Sequence, residues 1–486
     1  MKLTLPNKFL TGFEWLDKFR WIGLVAGPLM FVLILWFAHP ANMTPDAVKV
    51  MAITVWIAIW WVTEAVPLPV TSLLPIILFP LMKVMKLDDT TRDYGHPLIF
   101  LYIGGFLLAF AIEKTGLHAR IAISIIRAMG TKLNMIVLGF MLSTGFLSMW
   151  ISNTATALMM LPIGLAIISI TANEQGKPFA NFRKSLILVI AYASSIGGVA
   201  TLIGTPPNLV FAGVMKDMFH EDFTFSQWFV YGFPLAIILM FFAWWYITRI
   251  AFPMKDVRLT EAKEEMAIGV TKLGKMSGKE IAVAIVFTLM GFSWITRSFF
   301  LEKFIPGLDD TIIGLAGGLS LFLIPESRKS GKGILNWEDA GKLPWGIILL
   351  FGGGLALADA FESSGLSTWI GESMSGLTVL GIFLVILLVV AIVNFLTEFT
   401  SNLATVTMIL PVLAPVALSA GIEPITLMMA ATMAASCGFM MPAGTPPNAI
   451  AFGTGHLRII DMIKTGFVLN VVSIILITLM MYFVKM

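Results

Sequence analysis

The sequence predicts an all-α polytopic membrane protein of about 11 transmembrane helices with two re-entrant hairpins, built as inverted repeats. Three observations carry this expectation. Of 486 residues, 58% are hydrophobic and only 13% charged, where a soluble domain carries about 25% charge. The mean hydropathy is +0.89, and apolar runs of about 20 residues, long enough to cross a bilayer, recur from end to end. Small and polar residues also recur in the two halves at one offset: Ser152 returns as Ser401 and Pro162 as Pro411, each 249 positions on.

Composition excludes several classes. A transmembrane β-barrel would show short alternating segments, and none are visible. A single cysteine, Cys437, excludes an internal disulfide framework and a cysteine-based zinc site. The histidines His39, His96, His118, His220 and His456 sit near segment ends without ligand spacing. The first apolar stretch reads as an uncleaved span rather than a signal peptide.

In chain order, the spans fall at 20–38, 46–65, 67–82, 97–117, 184–215, 226–250, 279–298, 310–325, 344–366, 424–455 and 465–484. Stretches 133–172 and 376–420 are too long for one crossing and are interrupted by polar islands. They read as hairpins that return to their own side, because each arm is short and a polar island makes a poor loop in lipid. With the N-terminus inside, lysine and arginine then favour the cytoplasmic loops by about three to one. Only Lys49, Lys83, Lys86, Arg92, Lys216, Arg297, Lys303 and Lys485 remain outside. Arg120 and Arg127 lie on an amphipathic surface helix before the first hairpin, and Met254–Gly278 reads as a solvated cytoplasmic linker.

The repeat extends beyond the islands. Gly104-Gly105, Glu113 and Gly116-Leu117 match Gly353-Gly354, Glu362 and Gly365-Leu366 at the same offset. The run Gly204-Thr-Pro-Pro-Asn208 returns as Gly444-Thr-Pro-Pro-Asn448. An odd number of crossings separates the copies, which makes the repeats antiparallel. Proline cannot continue a helix, so these runs break their spans near mid-membrane. Such breaks free carbonyls for a small hard cation and aim helix N-termini at an anion. The islands Ser152-Asn153-Thr154 and Ser401-Asn402-Leu403 add hydroxyls and amides, and serine and asparagine also cap helices. No lysine or arginine lies near them, so bound cations would supply the charge that holds an anion. Glu398, three residues before Ser401, reads as a hydrogen-bonding residue or an influence on ion binding. An intramembrane serine enzyme would need a base, and neither apolar core holds a histidine or lysine. An anion channel would need cationic rings, and the halves lack them.

With these motifs the chain resembles the divalent-anion/sodium symporter family, the INDY-type sodium/dicarboxylate cotransporters. The resemblance covers nearly the whole chain and implies a homodimer in the cytoplasmic membrane whose transport domains move as elevators against a scaffold. It implies scaffold at 1–131 and 253–375 and transport domain at 132–252 and 376–486. Carried onto this sequence, it implies one sodium site at Ser148, Ser152, Asn153 and Gly204 and another at Thr397, Asn402 and Gly444. The dianion would contact Ser152, Asn153, Thr154, Ser401, Asn402, Leu403, Thr205 and Pro446. The implied activity is sodium-coupled import of succinate, fumarate or malate. Leu403 stands where several dicarboxylate carriers have threonine, which leaves citrate or another divalent anion open; antiporters of the wider family leave a sodium-independent exchanger open, with only the Ser148/Thr397 pattern against it.

Overall fold

Many helices in this chain begin at a side-chain cap or a proline. The computed structural model describes residues 14–38, 40–171, 176–254, 257, 259, 273–327, 331–374 and 381–483. Most of the linker predicted over Met254–Gly278 lies outside the described residues, as do the cations Lys2, Lys8 and Lys485 and His39.

The first half runs α1 (Glu14–Phe37), α2 (Pro45–Thr63), α3 (Leu68–Thr71), α4 (Leu74–Leu81), α5 (Leu87–Arg92) and α6 (Pro97–Thr115). Next come α7 (Leu117–Met129), the hairpin α8 (Leu133–Ser148) and α9 (Asn153–Ile170), then α10 (Lys177–Val199), α11 (Pro206–Phe219) and α12 (Phe225–Tyr246). The second half runs α13 (Gly278–Thr296), α14 (Asp310–Leu323), α15 (Trp337–Ala340), α16 (Trp345–Ser363) and α17 (Leu366–Ser373). It closes with the hairpin α18 (Ile382–Leu396) and α19 (Asn402–Ser419), then α20 (Pro424–Ala435), α21 (Pro446–Gly453) and α22 (Ile459–Phe483).

Ten helices among the described residues have the length and composition to cross a membrane. Two of them, α9 and α19, are the second arms of hairpins. The span expected at 67–82 is split into α3 and α4, because Pro75 opens a new helix and the Ser72 hydroxyl bonds back to the Leu68 carbonyl. The amphipathic helix expected around Arg120 and Arg127 is α7. Gly116 and Gly365 both have φ of +80°, and each turns a long helix, α6 or α16, into a short one, α7 or α17. That left-handed position suits glycine.

The lipid-facing character is explicit on α13. Ile281, Ile285, Leu289 and Phe292 are 45–59% exposed along one face. Solvation by hydrocarbon accounts for such a stripe, and water does not. Inside, α6 packs on α13 and α14, while α10 packs on α8, α9 and α12. In the second half α18 packs on α20 and α22.

Candidate functional site

The islands sit at the two hairpin turns, and the packing of the halves is reciprocal. Arm α9 of the first hairpin lies against α21, which follows the second break. Arm α19 of the second hairpin lies against α11, which follows the first break. Tyr192 on α10 meets Phe439 in the second break edge to face, with ring centroids 5.4 Å apart. The first tip is further held by Trp150, which stacks on Phe225 and Trp294 at 6.0 and 6.4 Å.

Each tip contains the same oxygen cluster. Ser148 Oγ lies 2.8 Å from Asn153 Oδ1 and 2.6 Å from the Ser194 carbonyl. Thr397 Oγ1 lies 2.6 Å from Asn402 Oδ1 and 2.8 Å from the Ala435 carbonyl. A hydroxyl has one hydrogen to donate. Three oxygens therefore converge around a single hydrogen at each tip, an electron-rich arrangement suited to a small hard cation. Ser148 and Thr397 are fully buried.

Proline and asparagine build the breaks beneath. Helix α10 stops at Val199 and α11 begins at Pro206; α20 stops at Ala435 and α21 begins at Pro446. The Asn208 amide donates to the carbonyls of Gly198 and Thr201 at 3.2 and 2.7 Å. The Asn448 amide donates to Gly438 and Met441 at 3.2 and 3.1 Å. These bonds satisfy carbonyls that helix would otherwise pair, as irregular backbone at membrane depth requires. Asn208 Oδ1 and Asn448 Oδ1 remain buried without a hydrogen-bond partner. Close approach depends on Gly198: a Cβ there would sit 2.9 Å from Asn153 Nδ2 and nearer still to Oδ1.

The second break is longer, and Glu398 supports it. Its carboxylate accepts from the N–H groups of Met440 and Met441 at 2.9 and 2.8 Å and from Asn470 Nδ2 at 2.7 Å. Of the two roles open in the sequence, these bonds give Glu398 the hydrogen-bonding one. Its counterpart in the first half is Met149, whose backbone carbonyl accepts from the Thr201 hydroxyl.

The remaining expected residues divide. Ser152 caps α9, accepting from the Ala155 N–H at 3.3 Å, and borders a small recess with Tyr102, Gly105, Phe106, Trp150 and Ile203. Ser401 leads α19 without a side-chain cap bond. Asn153, Thr154 and Asn402 are half-buried, and Gly204, Gly444 and Thr205 are buried. Pro446 is exposed, whereas Leu403 is buried. A cavity of about 520 Å³ opens away from the islands, between the ends of α11, α17 and α19.

The halves are not equally covered. Leu158 on α9 is 54% exposed, and Thr407, at the same place on α19, is 1% exposed. Arm α19 is packed under α16 and α17. Asn208, Asn448 and Asn470 hold the breaks in place, and none of them is among the expected site residues. The first two are legible from the repeat, because each closes its Gly-Thr-Pro-Pro-Asn run. Asn470 carries no such signal.

The pattern of the sodium:sulfate symporter transmembrane region matches residues 18–486. The chain belongs to this family of divalent-anion/sodium symporters. It is a transporter and not an enzyme. Relatives include the sodium-dependent dicarboxylate transporter SdcS of Staphylococcus saprophyticus, 45% identical over 95% of this chain and 91% of that protein. SdcS of Staphylococcus aureus is 44% identical over the same shares. Among solved structures, the Alcanivorax borkumensis YdaH transporter aligns with a TM-score of 0.56 at 14% identity, covering 81% of this chain and 87% of that one. Neisseria gonorrhoeae MtrF aligns at 0.58 and 12% identity, covering 93% and 96%. These two neighbours share the fold.

Proposed function

We propose that this symporter couples sodium to the import of C4-dicarboxylates, with succinate, fumarate and malate as cargo. The observation that carries the reading is the pair of oxygen clusters at Ser148–Asn153–Ser194 and Thr397–Asn402–Ala435, each with three oxygens and one hydrogen. The names of the SdcS relatives support sodium and a dicarboxylate.

One sodium ion would bind at Ser148, Ser152, Asn153 and Gly204, and a second at Thr397, Asn402 and Gly444. Their charge would then draw the dianion to Ser152, Asn153, Thr154, Ser401 and Asn402, with Thr205 and Pro446 at the helix N-termini. Neutral ligands suit a carrier, since every ion and anion bound must also leave. Leu403 offers no hydroxyl, and its bulk would favour a compact diacid over citrate.

The cargo would cross as residues 132–252 and 376–486 slide against 1–131 and 253–375. The uneven cover of the arms supports this: α19 is sealed under α16 and α17, while α9 is open. With the N-terminus in the cytoplasm, that is a state open inward. We further infer a homodimer in the cytoplasmic membrane.

Radiolabelled succinate uptake into proteoliposomes, with and without an inward sodium gradient, tests the reading. Saturable uptake that needs sodium is expected. Uptake that ignores sodium and requires internal dicarboxylate would replace it with the exchanger. Preference for citrate over succinate would overturn the choice of cargo.

A further inference from the structure

A cluster of carboxylates lies where α11 meets α6 and α16, away from the islands. Asp217 is in the last turns of α11, Asp93 and His96 form the corner leading into α6, and Asp359 is on α16. His96 Nε2 lies 3.4 Å from Asp217 Oδ1. The charges of Asp217 and Asp359 both act on Asp93, and that of Asp217 acts on Asp359. Asp93 is 6% exposed and His96 8%. Asp93 Oδ2, His96 Nε2 and Asp217 Oδ2 are closed off from solvent without a hydrogen-bond partner.

The surrounding charges do not balance this group. Helix α5 brings Asp89 and Arg92 to bear on it, α16 adds Glu362, and the end of α11 adds His220. Lys216 is paired with Asp222 at 2.8 Å. The Tyr94 hydroxyl donates to the Ser72 carbonyl. One guanidinium and two imidazoles thus face three inner carboxylates and two on the rim. Asp217 is 23% exposed and Asp359 half-buried, so the buried carboxylate is Asp93, and burial beside two like charges favours its protonated form. Among the described residues, no three histidine, cysteine, aspartate or glutamate side chains are placed to share a metal ion. The ligand that fits is a proton.

We propose that Asp93, buried beside Asp217 and Asp359 with an unpartnered carboxylate oxygen, is a proton-binding site that ties the end of α11 to α6 and α16 and holds this seam shut. Opening the seam returns Asp93 to water, where it ionises and releases the proton. By linkage, acid on this side favours the closed seam and alkali frees it. The positive-inside reading puts this side outside. The coupling to transport rests on the sliding motion proposed above; the proton site does not.

Two measurements on the full-length protein in lipid separate these claims. Infrared difference spectra should show a protonated-carboxyl band that titrates between about pH 5 and about pH 9. The band should vanish in Asp93→Asn, and in Asp217→Asn, which removes a neighbouring charge, it should titrate at lower pH. A second readout uses Thr407→Cys, buried under α16, reacted with a polar maleimide; the native Cys437 is itself buried. The ratio of its alkylation rate without and with Asp217→Asn cancels the thiol's own titration. That ratio should rise from near unity in acid by about tenfold in alkali.

A wild type with no titrating band, or a band that persists in Asp93→Asn, overturns the proton site. Alkylation that responds to sodium and succinate but not to pH overturns the latch and leaves the sliding reading standing. Alkylation indifferent to all three sinks the sliding reading, and the infrared band still decides the site.

Discussion

Ser148 and Thr397, 249 positions apart, occupy equivalent places: each hydroxyl lies within 2.8 Å of its tip asparagine's Oδ1 and of one carbonyl from the neighbouring broken helix. Neither cluster has enough hydrogens for its oxygens. Ser148→Ala and Thr397→Ala each remove one oxygen from a cluster suited to a cation. A contact to a charged group contributes about 1.5–3 kcal/mol. Each variant is expected to raise the sodium concentration for half-maximal uptake by about tenfold or more, with Thr397→Ser retaining near-normal dependence. Sodium titrations of succinate uptake check this.

Gly198 carries the Asn153 amide against its backbone. Gly198→Ala is expected to abolish uptake, because a methyl there displaces Asn153. Gly105→Ala is the control: its Cβ would meet Ile203 at an ordinary 3.6 Å. Equal expression of both variants, with uptake lost only in the first, is the expected result. Asn153→Ala and Asn402→Ala should match Gly198→Ala.

Glu398 anchors the longer break from a buried position. Glu398→Ala leaves the N–H groups of Met440 and Met441 and the Asn470 amide without their acceptor. Each unmade bond to a buried donor costs about 1–3 kcal/mol. Thermal unfolding in detergent should therefore fall clearly for Glu398→Ala, and uptake with it. An unchanged midpoint would show the loop to be held by other means.

Leu403 stands where the first island has Thr154. Leu403→Thr restores a hydroxyl, and a site that can bond a hydroxyl discriminates more strongly than one that cannot. Relative uptake of succinate, malate and citrate should shift by about tenfold. Competition assays across these diacids measure it, and an unaltered ranking would remove Leu403 from the contact surface.

Acid should loosen the corner at α15. Burial pushes the Asp339 carboxyl up, but the Lys114 ammonium at 2.6 Å and the Asn336 N–H outweigh it and hold it below the usual carboxylate range. A lowered folded value contributes stability above the unfolded pKa of about 4, which is lost as pH falls through the folded value. Lys114→Met should cost about 1 kcal/mol or less near neutral pH, because the pair is part-exposed and Lys342 stays 3.5 Å from Asp339. The gap between wild-type and variant unfolding midpoints should shrink in acid.

Much of the candidate site was legible because its residues act locally. The proline pairs 206–207 and 446–447 stand in the first turns of α11 and α21, where they interrupt the span, and Ser152 caps α9. The repeat then linked the halves without any knowledge of contacts. Other parts were invisible for equally physical reasons. Ser194 and Ala435 enter the two oxygen clusters through backbone carbonyls, which carry no sequence mark. Asn470 reaches Glu398 across 72 positions and has no counterpart in the first half.

From its letters alone the chain determined a membrane protein of two matched halves with a broken helix and a polar turn in each, since hydropathy and proline chemistry do not depend on neighbours. Only tertiary packing decided that Leu403 is buried, that α19 is covered while α9 is open, and that Asp93, Asp217 and Asp359 share one seam. Those outcomes depend on which helices touch, and touching is set by the joint fit of distant surfaces rather than by any one stretch.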